Sequence, residues 1–260
     1  MISTSTRYQI ITSNLARTKS MIENDASVKR EIEYYNKTIK TIKTIDDFIK
    51  NDRVFKFAMK AYGLEDMAFG KALIKKLLQE GTSNPLSMAN KMSNPLYKEF
   101  AKAFDFVGKG ADATSAASAT TEAVAKYVQQ TLEQREGNDN QGVRLALYFK
   151  RKASSITNTM GILADKAILE FVQTTFNIPK AAGRADIDVQ VRQLEKLLNV
   201  KDLQDPKKVD KLIQRFSVMW DMNNASAATS PILTLFNQST DQGISVDLMM
   251  SIAKLRPGGF

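Results

Sequence analysis

Apolar residues recur along this chain at intervals of three and four, the spacing of one face of an α-helix. Val28, Ile32, Tyr35 and Ile39 form one such stripe, and Asp25 stands before it as a cap. Asp52 leads into Val54, Phe55, Ala58, Met59 and Tyr62, with Gly63 as the glycine that ends the helix. Glu65 and Asp66 are expected to open the next helix, which carries Leu73, Leu77 and Leu78 and stops at Gly81. Asn84-Pro85 and Asn94-Pro95 each read as a cap followed by a first-turn proline, the second opening a helix with Phe100, Phe104 and Phe106. Gly108–Thr121, rich in Gly, Ala, Ser and Thr, reads as a linker. Further helices are expected from about Glu122, Gln141, Met160, Arg184 and Pro206. No segment alternates with the two-residue period of a strand, so the expected fold is an all-α, multihelical array.

The pattern repeats. At a shift of 114 residues, Tyr34 and Tyr35 fall on Tyr148 and Phe149, Phe57 on Phe171, and Tyr62 on Phe176. With a small gap, Phe100 and Phe104 fall on Phe216 and Trp220, and Asn84-Pro85 on Asp205-Pro206. Two duplicated helical units, 28–106 and 142–222, account for this, since stacked repeats bury a joint core. An N-terminal helical tail (1–27) with Tyr8, Ile11 and Leu15 on one face precedes them. A linker and connecting helix (107–141) joins them, and a polar linker with an amphipathic tail (223–260) follows. In that last segment Leu235 and Phe236 sit in an apolar cluster, and Leu248, Met249 and Ile252 in a helical stripe. These five residues are the candidate partner-binding positions, because an apolar face behind a flexible linker needs a surface to cover it.

Composition narrows the chemistry. There is no Cys and no His, which removes disulfides, thiol nucleophiles and histidine relays. The net charge is +9, which invites nucleic acid or an acidic partner. The excess is thinly spread. The densest basic stretch, Lys29–Lys60, reads as a solvated helix face. No run is long enough to span a bilayer, and the first residues lack the apolar core of a signal peptide. The expected location is the cytoplasm, or export to a bacterial appendage.

Catalysis here would have to rest on carboxylates, Lys, Tyr or Ser. Asp46-Asp47 and Glu65-Asp66 are adjacent pairs whose side chains diverge on a helix, so capping is the expected role. Ser251 and Lys254 match S-x-x-K without its companion motifs. Asp186, Asp188, Asp202 and Asp205 lack the glycine and closing glutamate of a calcium loop. No catalytic residue, metal ligand or cofactor is therefore expected.

Several segments are familiar as a set. They are Phe57-Ala-Met-Lys-Ala-Tyr-Gly-Leu-Glu-Asp-Met67, Glu99-Phe-Ala-Lys-Ala-Phe-Asp-Phe106, Asn140-Gln-Gly-Val-Arg-Leu-Ala-Leu-Tyr-Phe149, Leu163-Ala-Asp-Lys-Ala167, Asp186-Ile-Asp188 and Arg215-Phe216. Together they resemble an alphaproteobacterial domain-of-unknown-function family often encoded among flagellar genes. The resemblance implies an all-helical fold and a flagellar connection, and it supplies no catalytic motif. Gly63, Arg144 and Asp165 are among its characteristic residues, with an ion pair of Arg144 to Glu133 or Glu136 as one structural role. The expected function is a non-enzymatic structural or interaction protein, an assembly factor or component of the flagellum, that binds a partner protein through apolar terminal segments. A nucleic-acid-binding regulator with a basic surface is the alternative.

Overall fold

The computed structural model describes residues 2–224, and every regular element among them is helical. Fifteen α-helices follow one another: α1 (Thr4–Ser13), α2 (Leu15–Glu23), α3 (Ala26–Ile39), α4 (Ile45–Lys50), α5 (Asp52–Ala61), α6 (Lys71–Glu80), α7 (Met88–Lys91), α8 (Pro95–Ala103), α9 (Phe106–Lys109), α10 (Thr121–Asp139), α11 (Gln141–Lys152), α12 (Thr159–Ala164), α13 (Lys166–Thr175), α14 (Ile187–Leu197) and α15 (Pro206–Asn224). The five candidate partner-binding residues, Leu235, Phe236, Leu248, Met249 and Ile252, lie outside the described residues.

Short polar side chains start the helices by accepting from otherwise unpaired backbone N–H groups. Asp25 caps α3 through Ser27 and Val28, Thr44 caps α4, Asn51 caps α5, and Asn94 caps α8 with Pro95 in its first turn. Two expected starts differ, and so does the expected linker. Glu65 and Asp66 form only a single 3-10 turn, and α6 begins later, at Lys71. Pro85 lies in a turn held by Leu86 N–H donating to Asn84 Oδ1, and the next helix waits until Met88. The 108–121 stretch is packed instead of free. Its 3-10 turns bury Ala113, Thr114 and Ala119, and Thr114 Oγ1 donates to Ile42 O at 2.7 Å. Small residues serve there because the backbone passes close to α3 and α5: Tyr35 and Tyr62 donate their hydroxyls to Ala119 O and Ser118 O.

The first helix likewise packs on the body. Tyr8 and Ile11 are buried where α1 meets α11 and α15, so this apolar stripe is already covered by the chain itself. Backbone N–H of Thr4 donates to Asp221 Oδ2 at 3.0 Å, joining the start of α1 to the end of α15.

The 114-residue spacing reappears as geometry. Ile45–Lys50 and Thr159–Ala164 are helices at that offset, as are Asp52–Ala61 and Lys166–Thr175. Each second helix closes the same way. Gly63 takes φ +72° and Asn177 φ +52°, and Leu64 N–H donates to Met59 O as Ile178 N–H does to Gln173 O, both at 2.8 Å. Glycine and asparagine are the residues that enter this left-handed region most readily. Both units also stack aromatic rings. Tyr35 lies on Phe57 at 4.0 Å between centroids and Phe57 on Tyr127 at 3.9 Å; Phe149 lies on Phe171 at 3.7 Å and Phe171 on Phe216 at 4.3 Å.

Helix α10 sits between the two units, against α5 on one side and α11 on the other. It buries two acids. Glu133, 1% exposed, accepts both Nε and Nη2 of Arg151, and Glu136 accepts both nitrogens of Arg7. The pairing expected for Arg144 thus goes to Arg151 and Arg7. A buried carboxylate left without its partner is costly, which makes these forks strict constraints on how α1 and α11 seat against α10.

Candidate functional site

A groove of about 830 Å³ opens between α3 and α10, with α5 behind it. Its α10 wall presents Tyr127, Thr131, Gln134 and Asn138, spaced i, i+4, i+7, i+11 on one helix face, with Arg135 beside them. From α3 come Ser27, Arg30 and Glu31, and from α5 come Arg53 and Lys60, two helical turns apart. Eleven steps from Tyr127 to Asn138, at about 1.5 Å each, make this wall about 16 Å long.

The floor is rigid. The Tyr127 ring lies on Phe57 at an interplanar angle of 11°, and Lys60 Nζ sits over the same ring at 5.2 Å from its centroid. The ring quadrupole attracts the ammonium there. Burial pushes the Lys60 ammonium below its ordinary pKa; Glu65 opposes that shift and Arg135 adds to it. Burial also raises the Tyr127 phenol, with Glu31 and Glu65 adding to the rise.

Four cations line the groove, and two have ion-pair partners. Arg53 donates Nε and Nη2 to Glu31 at 3.0 Å each, and its guanidinium covers the Tyr34 ring at 4.0 Å. The Glu31 hydrogen bond raises the Arg53 pKa. Arg135 pairs with Asp25 at 3.1 Å. Arg30 donates only to the backbone oxygen of Ala26, and among the described residues neither it nor Lys60 has a carboxylate within 4 Å. At the base, Thr131 is 5% exposed and its Oγ1 has no hydrogen-bond partner. The Tyr127 hydroxyl one turn earlier is near it without hydrogen-bond geometry. Unpaired buried hydroxyls are costly and uncommon.

Chemically, this is a place for a ligand that brings negative charge and accepts hydrogen bonds. Glu31 and Asp25 face the cations and do not converge on each other as a catalytic pair would. Several other acids considered from sequence have structural partners. The Asp47 carboxylate accepts from Thr44 Oγ1, and Asp46 pairs with Lys75. Asp186 caps α14 and Asp202 pairs with Lys208. Among the described residues no three acids gather where they would hold a metal ion, and no helix is long and apolar enough to cross a membrane.

Sequence reading missed the groove. Arg30, Arg53 and Lys60 were absorbed into the Lys29–Lys60 run read as a solvated face. For Lys37, Lys40 and Lys43 that reading is correct, since all three are exposed. The overlooked signal is the Tyr127, Thr131, Gln134, Asn138 stripe, a helical face that is neither apolar enough for core nor charged enough for open surface.

Comparison with known proteins gives two matches. A family model described as "Protein of unknown function (DUF1217)" matches residues 61–209, which includes the α10 wall of the groove. The X-ray crystal structure of protein AGR_C_984 from Agrobacterium tumefaciens superposes with a TM-score of 0.80 at 45% sequence identity, covering 86% of this chain and 98% of that one. No curated protein matches.

Proposed function

We propose a function for a chain that belongs to the DUF1217 family, proteins of unknown function: a non-enzymatic bacterial interaction protein, associated with the flagellum, that captures a protein partner. The observation that carries this reading is the cationic groove. Among the described residues Arg30 and Lys60 have no ion-pair partner, and they lie over a floor where Tyr127 is stacked on Phe57. Pre-ordered charge of this kind lowers the cost of binding, because the side chains need not be immobilised afterwards. The flagellar part rests on the resemblance described from sequence. The recurrent geometry of the two units supports reading them as duplicates that together act as a rigid frame.

Leu235, Phe236, Leu248, Met249 and Ile252 would add a second, apolar contact. Each large apolar side chain buried contributes about 1.5–3 kcal/mol before ordering costs. The chain would act in the cytoplasm, or at the flagellum after export.

The test is co-purification from the native cell. Intact protein, a chain ending at Asn224, and an Arg30→Glu/Lys60→Glu double variant are compared, with partners identified by mass spectrometry. Flagellar proteins retained by intact protein and lost from the groove variant support the reading. Nucleic acid or ribosomal proteins in all three samples, released by salt, replace it with a nucleic-acid role.

A further inference from the structure

Resting on the partner-capture reading, we infer the chemistry of the partner: the α3–α5–α10 groove receives an acidic polypeptide segment, with carboxylates meeting Lys60, Arg53, Arg30 and Arg135 along its length.

The layout of the cations carries this. Arg53 and Lys60 stand about 10 Å apart on α5, from two turns at about 5.4 Å each. A single phosphate or carboxylate does not reach both. Sites for lone anions gather their donors at one point, commonly backbone N–H groups at a helix start. This groove is walled by the sides of helices, its cations come from three helices, and its α10 wall runs about 16 Å. An extended peptide covers that distance in about five residues.

Two features separate a peptide from nucleic acid. Single strands bind through bases stacked on aromatic rings. Tyr127, the ring on the groove floor, is only 8% exposed, with Phe57 stacked on it and the Lys60 ammonium over it. Glu31 also stands in the wall and would face a continuous line of phosphates. Discrete carboxylates fit better. One can take Arg53 in exchange for Glu31, because that pair is exposed on both sides and exposed pairs are worth little. Others meet Arg30 and Lys60, which have no ion pair to break among the described residues. Thr131 lines the groove, and a ligand oxygen seated at its base would supply the partner that the Thr131 hydroxyl lacks among the described residues.

The experiment is fluorescence anisotropy with the full chain and a labelled peptide of about six glutamates, at low salt. Lys60→Gln with Arg30→Gln is expected to weaken binding about tenfold or more, since hydrogen bonds to charged groups are the stronger class. Thr131→Val is expected to weaken it a few fold with an unchanged melting temperature. Lys76→Gln, an exposed charge on α6, is the control and should leave affinity as it is. Equal loss in the control, no loss in the groove variants, or no binding at all overturns the assignment. So does oligothymidylate or inorganic phosphate that competes as well as unlabelled peptide. Unchanged peptide binding in a groove variant that no longer captures a flagellar protein would sink this inference and leave the broader reading. Failure of the intact chain to capture any protein would sink the broader reading.

Discussion

The two ring stacks start alike and finish differently. Tyr35 on Phe57 and Phe149 on Phe171 are the same pair of positions 114 residues apart, on α3 and α5 in one unit and on α11 and α13 in the other. The third ring comes from unrelated places. In the first unit it is Tyr127 of α10, whose outer side meets Lys60 and the groove. In the second it is Phe216 of α15, which runs on to Trp220, and Trp220 lies against Gly142. One stack ends beside the charged groove, the other at a half-buried indole. The shared rings pack both units, and the closing ring decides what lies beside each stack.

The largest test removes a middle ring. Phe171→Ala is expected to cost about 3–5 kcal/mol, read as a drop in the urea midpoint, because a fully buried ring leaves a cavity. Phe57→Ala should cost a similar amount and in addition abolish groove binding, since Tyr127 loses its support. A small loss for either would break the equivalence of the stacks.

Next comes the link between each unit's tyrosine and its helix cap. The Tyr148 hydroxyl donates to Asp165 Oδ2 at 2.6 Å, whereas the counterpart contact has Asn51 Nδ2 donating to Tyr34 Oη at 3.4 Å. Tyr148→Phe should cost about 1.5–3 kcal/mol in urea unfolding, since the acceptor is a carboxylate. Tyr34→Phe should cost well under 1 kcal/mol, the bond being long and neutral. Equal costs would show that the charge on Asp165 is immaterial.

Gly142→Ala probes the indole end. A β-carbon there would stand 2.5 Å from Trp220 Cδ1, so the indole must move. About 1–3 kcal/mol of destabilisation is expected. Because the chain has one Trp, a shift in its fluorescence reads the displacement directly.

The last test has a distinctive alkaline signature. Burial holds the Tyr35 phenol well above its ordinary value. Between the ordinary tyrosine pKa of about 10 and the raised one, the unfolded chain has released a proton that the folded protein keeps, so stability falls as pH rises. Below that window this contribution is constant. Tyr35→Phe, which makes the first stack begin as the second does, should flatten the alkaline decline in urea midpoints. It should also lose about 1 kcal/mol at neutral pH with the bond to Ala119 O.

Local signals made most of the fold legible. The Val28, Ile32, Tyr35, Ile39 stripe is buried along its length, Asp25 caps it, and Gly63 ends α5 with positive φ. These depend on neighbours a few residues away, which the sequence displays. Where a start was misplaced, one local rule lost to another. Glu65 and Asp66 suit a helix start, but the chain makes only a 3-10 turn there before Gly70 opens α6. The Gly108–Thr121 stretch was read as free because small residues mark loops, yet small residues also let backbones pass close, and here tertiary contact decides. The groove stayed hidden for a different reason. Arg30, Arg53, Lys60, Arg135 and Thr131 come from three helices, and only packing brings them to one trough.

The bond from Thr4 to Asp221 has a consequence for how the protein is made. A ribosome delivers α1 before α15, and at about 5–20 residues per second α15 follows by about 10–45 s. Until α11 and then α15 emerge, Tyr8 and Ile11, buried in the finished body, lack the helices that cover them. The seat of α1 is therefore completed only when α15 has been made, and until then its apolar stripe is only partly covered.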